Sequence, residues 1–450
     1  MLPIVTPAEM GEIDRAAAEP VEVLIGRAGA AVARAALDIM GGAYGKRVVV
    51  VAGKGNNGND GRDAARRLER RGVRCSVLDA AVVGGERLPV CDLVIDAAYG
   101  TGFRGDYDAP DATGAPVLAV DIPSGVDGLT GEVRSGAVAA SATVTFAALK
   151  PGLVLQPGRA RAGRVSVADI GLDCSAATAH VVEAADVRRW LPARPIETHK
   201  WKAAVWVVGG SPGMAGAPAL AARGAQRLGA GYVRLSTPGT DASFDAPVEV
   251  VGEPLPQSGW AAAVGDGLDR FRAAVVGPGL GTADATQAEV RELVGSARVP
   301  MVVDGDGLTA LGRDWTAGGH APIVLTPHDG EATRLVGHAP GPDRFDAARE
   351  LAARTGAVVL LKGPTTVVAT PDGAALAVTT GDVRLASAGT GDVLAGAIAA
   401  LLAQGAPPLH AAAAAAWLHG RAGTLGPPRG LVAGDVADLL PAAAESLESE

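Results

Sequence analysis

An alternation that occurs twice constrains this chain most: short runs of β-branched residues, each followed by an alanine- and arginine-rich stretch of helical period. Such alternation specifies parallel strands joined by covering helices, because a parallel crossover needs a helix-length connection. In the first series Arg47 to Ala52, Cys75 to Leu78, Leu93 to Ile95 and Val117 to Ile122 read as buried strands. The second runs through Ala204 to Val208, Tyr232 to Leu235, Ala273 to Val276, Met301 to Val303, Ile323 to Leu325 and Val358 to Leu361. Between them Trp190-Leu191-Pro192-Ala193-Arg194-Pro195 breaks both periodicities and reads as a domain boundary. At 450 residues the chain exceeds one ordinary core. Two α/β domains are expected, residues 1–190 and 196–445.

A net charge of −9 without a basic run argues against binding to a nucleic-acid backbone. Cys75, Cys91 and Cys174 are odd in number and form no CxxC pair, so neither a disulfide framework nor a zinc site is indicated. The stretch Met1 to Glu9 lacks a basic targeting region, and no apolar run reaches membrane-spanning length. A soluble cytoplasmic protein with small-molecule partners, and with neither nucleic acid nor membrane as partner, is the expectation. Abundant alanine and glycine read as compositional bias.

The chemistry sits where strands end. Strand Val48 to Ala52 runs into Gly53-Lys54-Gly55-Asn56-Asn57-Gly58-Asn59-Asp60-Gly61, with helical character from Arg62 to Arg71. The glycines match a dinucleotide fingerprint, with Asp79 at the spacing of a ribose-binding acid. The asparagines and Asp60 add groups that a pyrophosphate turn does not need. Asp96-Ala97-Ala98-Tyr99-Gly100-Thr101-Gly102 and Asp121-Ile122-Pro123-Ser124-Gly125 end two further strands. Together the three loops offer Asn57, Asp96 and Ser124 as oxygen ligands for a monovalent cation. In the second half Gly389-Thr390-Gly391-Asp392 feeds an apolar helix expected from Val393 to Leu402. Such a turn aims backbone N–H groups and a helix dipole at one anion, and Asp392 beside it is placed to take a proton from a hydroxyl.

From Gly55 to Gly61, Asp96 to Gly105, Asp121 to Gly125 and Phe146 to Gly152, the first half resembles the NAD(P)H-hydrate epimerase domain. The resemblance implies a Rossmann-like three-layer α/β/α domain. Its substrate would be held by Asn56, Asn57, Gly58, Asn59 and Asp60, and by Gly100, Thr101, Gly102, Phe103, Arg104, Gly105 and Asp106. Potassium would lie between Asn57, Asp96 and Ser124, and Asp121 would contact the substrate. Inverting C6 of a hydrated ring requires proton movement, which nominates Asp121 and Lys150 as catalytic. Asn59 replaces a usual glycine, and asparagine tolerates positive φ.

Gly209-Gly210-Ser211, Gly277-Pro278-Gly279, Asp304-Gly305-Asp306, Thr326-Pro327-His328, Lys362-Gly363-Pro364-Thr365-Thr366 and Gly389 to Asp392 form an ordered series. It resembles the ribokinase-like α/β fold, and within it the ADP-dependent NAD(P)H-hydrate dehydratase. The resemblance implies that Lys362, Gly363, Pro364, Thr365 and Thr366, with Gly389, Thr390 and Gly391, hold the adenine nucleotide. Ala217, Gly279, His328 and Asp392 would face the hydrated dinucleotide, NADHX or NADPHX. It further implies ADP as co-substrate with ATP as the alternative, Mg2+ on the nucleotide oxygens, and a homo-oligomer. Lys200-Trp201-Lys202 and Gly305 depart from the family pattern. The competing readings are a vitamin or sugar kinase with a noncatalytic first half, and a dehydrogenase on the Gly53 fingerprint.

Overall fold

The computed structural model describes residues 1–103, 105–134, 136–240 and 246–448. Two compact units divide between Ala179 and His180. This lies upstream of the boundary expected near Trp190. The difference has a packing cause: Val182 donates to the carbonyl of Ala377 (3.0 Å), and Trp190 stacks on His410, so residues 180–190 belong to the second core.

The first unit opens with β1 (Leu2–Ile4), α1 (Pro7–Ala16), α2 (Val21–Met40), β2 (Arg47–Ala52), α3 (Asn56–Glu69), β3 (Arg74–Asp79) and α4 (Ala80–Val83). It continues with β4 (Leu93–Ala97), β5 (Val117–Val120), β6 (Ala142–Phe146), α5 (Pro151–Val154), α6 (Gly158–Ala162) and β7 (Arg164–Ala168). Six of these strands form a parallel sheet in the order β3-β2-β4-β5-β6-β7. Alternation along β2 explains its double burial. Val48 and Val50 pack beneath α2 and α3, while Val49 and Val51 meet Leu88, Tyr107 and Val138 on the other face. Strand order reverses between β2 and β4, and open α/β sheets bind ligands at that crevice.

Two local expectations are corrected. Helix α3 begins at Asn56 rather than Arg62, so the asparagines form its first turn, and Asn59 is helical and exposed with no need of positive φ. Strand β5 stops at Val120 because Asp121 adopts a left-handed φ of 68°, which ends the extended run before Ile122.

The second unit contains β8 (Ala179–Val181), α7 (Ala184–Trp190), β9 (Ala204–Val208), α8 (Gly216–Arg227), β10 (Tyr232–Ser236), β11 (Val251–Gly252), α9 (Trp260–Gly267) and β12 (Ala273–Val276). Then follow α10 (Asp284–Gly295), β13 (Met301–Val303), α11 (Asp306–Leu311), β14 (Ile323–Leu325), α12 (Asp329–Val336) and α13 (Arg344–Thr355). The last elements are β15 (Val358–Leu361), β16 (Thr366–Ala369), β17 (Ala375–Val378), α14 (Thr390–Ala403), α15 (Pro408–Leu425) and α16 (Ala433–Glu445). The sheet runs β17-β16-β15-β14-β13-β12-β9-β10-β11, parallel from β15 to β11, with β15, β16 and β17 antiparallel. Helix α14 begins at Thr390, one turn before the expected Val393, because Gly389 at φ 89° supplies its N-cap.

Apart from its first residues α14 is apolar on all sides, and it lies buried between the sheet, α8 and α15. Small residues let the helices touch: a Cβ on Gly396 would strike the Ala221 carbonyl oxygen, and one on Gly224 that of Val393. Among the described residues no helix is long and apolar enough to cross a membrane.

Gly396→Ala should therefore push α14 off α8 and lower the stability of the second unit by about 1–3 kcal/mol. All six tryptophans lie at or beyond residue 190, so tryptophan fluorescence during denaturation reads this unit alone. An unmoved midpoint would contradict the crossing geometry.

Candidate active sites

In the first unit a cavity of about 620 Å³ opens over the β2/β4 crevice. Helix α3 presents its N-terminus there: Gly55 caps it without a side-chain hydrogen bond, and its first turn carries no acid. These N–H groups and the helix dipole favour an anion. Asn56, Asn57, Asp60, Gly100, Thr101, Gly102, Phe103, Asp121 and Lys150 line the cavity. Asp106 is exposed, and Gly58 and Gly105 also lie outside the lining; Arg104 falls outside the described residues. Gly58 has a packing role instead, since a Cβ there would strike the Gly53 carbonyl oxygen.

Asp121 and Lys150 meet directly. The Lys150 ammonium is 1% exposed and donates to Asp121 Oδ1 (2.6 Å), Thr145 Oγ1 (2.9 Å) and the Phe146 carbonyl (3.0 Å). The Thr145 hydroxyl donates in turn to Asp121 Oδ1 (3.0 Å). All three lysine donors are thus committed. The left-handed backbone of Asp121 is the kind of sparsely populated conformation held in place at functional sites.

Two of the three proposed cation ligands, Asp96 and Ser124, are in direct contact. Asp96 accepts from the Ser124 backbone (2.8 Å) and hydroxyl (2.7 Å) and from Ala98 N (3.3 Å). Burial pushes its carboxyl up to about 6 against those hydrogen bonds. Asn57 lies in the first turn of α3, and among the described residues both polar atoms of its amide are buried without a hydrogen-bond partner. Such atoms are costly unless something supplies a contact. An amide oxygen, a carboxylate and a hydroxyl suit a weakly hydrated monovalent cation.

Two acids complete the wall. Burial raises Asp60 to about 8, reinforced by Asp121, Asp63 and Asp14. Asp14, from α1, is exposed at the cavity mouth, where partial desolvation raises it, with Lys150 opposing and Asp121 adding. Asp14 belongs to no motif, although the Thr6/Glu9 capping box announces the helix that carries it.

In the second unit the parallel strands deliver their C-terminal ends to one edge. Ser211 Oγ donates to the Gly279 carbonyl (2.8 Å), and a Cβ on Gly279 would lie 3.4 Å from that of Ala217, so these two predicted substrate contacts adjoin. Asp304, after β13, is buried and accepts from Thr326 Oγ1 (2.7 Å) and Lys362 Nζ (2.8 Å). Lys362 Nζ also lies 3.6 Å from Glu331. Burial works against the lysine's charge, but Asp304, Glu331 and Asp392 together hold its pKa above the ordinary value. A Cβ on Gly391 would lie 3.5 Å from Lys362 Nζ, so the start of α14 closes the cluster. Asp392 is raised to about 7 by burial and by Asp304, with Lys362 opposing.

Around this cluster Arg344 donates to the Lys362 carbonyl (2.8 Å), fixing the turn that continues through Gly363 and Pro364. Thr365 is buried, and Thr366 pairs with Val378 inside the sheet. His328 Nδ1 accepts from Gly330 N (3.0 Å) and caps α12, leaving an exposed ring whose Nε2 is 3.6 Å from Glu331. Thr390 turns its hydroxyl to the Leu385 carbonyl (2.9 Å), away from an anion role. Its own carbonyl meets buried His419 Nε2 at 2.9 Å, a contact no motif announced. Gly305, at φ 56° and ψ −123°, occupies backbone space that alanine avoids, which accounts for that departure. Among the described residues no group of three or more His, Cys, Asp or Glu side chains is arranged to hold a metal ion.

Comparison with known proteins identifies relatives of both units. Residues 205–442 match the family model described as NAD(P)H-hydrate dehydratase, and residues 21–88 and 82–152 match the YjeF-related protein N-terminus. The chain is 38% identical to the bifunctional NAD(P)H-hydrate repair enzyme Nnr of Moorella thermoacetica, over 99% of this chain and 97% of that one. It is 40% identical to the Mycobacterium tuberculosis protein of the same name, over 83% and 82%. The Bacillus subtilis ADP/ATP-dependent NAD(P)H-hydrate dehydratase, co-crystallized with ATP/Mg2+, superposes at TM-score 0.52 and 30% identity, covering 59% of this chain and 98% of that one. A ribokinase-like superfamily protein from Enterococcus faecalis, 21% identical with TM-score 0.53 over 60% and 96%, shares the fold of the second unit. With two sites of this construction in two α/β units, the chain belongs to the bifunctional NAD(P)H-hydrate repair enzyme family.

Proposed function

We propose that the first unit interconverts the R and S epimers of NADHX and NADPHX at C6, and that the second dehydrates the S epimer to NAD(P)H with ADP as phosphoryl donor. The observation that carries the reading is Asp392, a carboxyl held near neutrality at the open N-terminus of α14 and flanked by the Lys362 ammonium. As base, Asp392 takes the proton of the C6 hydroxyl while that oxygen attacks the terminal phosphoryl. Lys362 and the first N–H groups of α14 stabilise charge on the transferring oxygens. Phosphate is then expelled by the ring nitrogen's lone pair, and no redox change is required. His328, Ala217 and Gly279 border the dinucleotide, and Lys362 to Thr366 with Gly389 to Gly391 border the nucleotide.

In the first unit Asn57, Asp96 and Ser124 would hold potassium, a charge that steadies an anionic substrate beside α3. Asp121 serves as proton acceptor with Lys150 fixing its position. This revises Lys150 from a proton-transfer group to a positioning one, because its donors are all engaged.

The test is to mix the protein with acid-hydrated NADH containing both epimers, Mg2+, K+ and either ADP or ATP, following absorbance of the reduced nicotinamide. Full recovery faster than spontaneous epimerisation supports both activities and names the donor. A stable phosphorylated product would overturn dehydration in favour of a vitamin or sugar kinase.

Asp392→Asn should slow dehydration by about 10²- to 10⁴-fold while nucleotide affinity stays near wild type. Because the base must be ionised, wild-type turnover should rise as pH climbs through about 7, and the variant should lose that limb. Lys362→Met removes the cation that opposes the Asp392 shift, so the limb should move to higher pH; an unmoved profile would separate the two residues. Ser124→Ala should raise the potassium needed for half-maximal epimerisation by about tenfold or more, titrated at constant ionic strength. An unchanged requirement would remove Ser124 as a ligand.

A further inference from the structure

We propose that Asp60 is the general acid of the first unit, donating its proton to the C6 hydroxyl as the C6–O bond breaks. The inference rests on the epimerase reading and adds the proton donor that this reading lacks. Lys150 has no donor to spare, and Asp121, ion-paired to it, is equipped to accept a proton rather than give one. Asp60 lines the same cavity, is 7% exposed, and no hydrogen bond among the described residues engages its carboxyl. A buried carboxylate without donors is poorly stabilised, and the neutral acid is the form such a site keeps.

Its charged surroundings agree. Asp14 faces the cavity from α1, Glu19 and Lys54 from its rim, Asp121 and Lys150 from the ends of β5 and β6, and Asp63 lies one turn on along α3. Burial, then Asp121, Asp63 and Asp14, raise Asp60 to about 8, so the acid is present at neutral pH. A buried acid facing a carboxylate that is paired to an ammonium is the arrangement an acid and base pair requires.

The step balances. The ring nitrogen's lone pair forms a C6=N1 iminium as the C6–O bond breaks, and the departing hydroxyl leaves as water with the Asp60 proton. Water then adds to the opposite face of C6 and gives its proton to Asp121. The product has inverted configuration, and solvent returns one proton to Asp60 and removes one from Asp121. No oxidant or reductant takes part.

Epimerisation of the R hydrate by Asp60→Asn is the decisive measurement, with dehydration of the S hydrate by the second unit as control on the preparation. The expected result is a kcat lower by about 10²- to 10⁴-fold with KM unmoved, and partial recovery in Asp60→Glu. The wild-type rate should fall as pH rises past about 8, where the acid is lost, and Asp60→Asn should lack that descent. In oxygen-18 water the wild type should place the label at C6 at the rate of epimerisation. Wild-type turnover without label overturns C6–O cleavage, and Asp60→Asn at wild-type rate overturns the assignment of Asp60. A wild-type chain with no epimerase activity instead sinks the reading on which the proposal rests.

Discussion

Each unit depends on an ammonium taken out of water at the C-terminal edge of a parallel sheet. Lys150 is 1% exposed against Asp121, and the Lys362 side chain is 21% exposed against Asp304. Desolvating such a cation costs several kcal/mol unless a carboxylate and further acceptors surround it, and deleting one partner of such a pair costs about 3–5 kcal/mol. The acids are therefore not free to wander. Asp121 keeps a left-handed backbone, and Asp304 is pinned by Thr326 as well as by its lysine. Everything else in each site is measured from these fixed points.

The two pairs then do different work. Lys150 is saturated: its donors end on Asp121, Thr145 and Phe146, which suits the positioning role proposed for it. Lys362 is outnumbered by Asp304, Glu331 and Asp392. Within that excess of acids, burial and then Asp304 raise Asp392 to about 7, with Lys362 opposing. Positive charge brought to that cluster would favour the carboxylate of Asp392, the form that the proposed base needs.

Strands were legible in the sequence because burial on both faces leaves unbroken β-branched runs such as Arg47 to Ala52. Helix starts were less so. Asn56 to Gly61 has poor helix propensity, yet the first turn of α3 tolerates it because tertiary packing of Ala64 and Leu68 carries the helix. Motif residues at strand ends were visible, whereas Asp14 and His419 arrive from helices far away in sequence and carry no local pattern. Alanine and glycine, read as compositional bias, are structural at the α8 and α14 crossing, where no larger residue fits.

Glycines explain why the dinucleotide fingerprint misleads. A Cβ on Gly53 would strike the Ala98 carbonyl, one on Gly58 the Gly53 carbonyl, and one on Gly61 the Ala97 side chain at 2.5 Å. Those positions are therefore set by backbone packing, and only Gly55, at the helix cap, has open space around it. Asp79, the residue a ribose would require, instead accepts from Ala81 N (2.9 Å) and caps α4, away from the cavity lining. The pattern of glycines thus specifies a close strand-to-helix turn that many functions can share. What separates this site from a hydride-transfer site is the set of side chains added to that turn: the amide of Asn57, without a hydrogen-bond partner among the described residues, and the buried acid of Asp60, where a simple pyrophosphate loop needs neither.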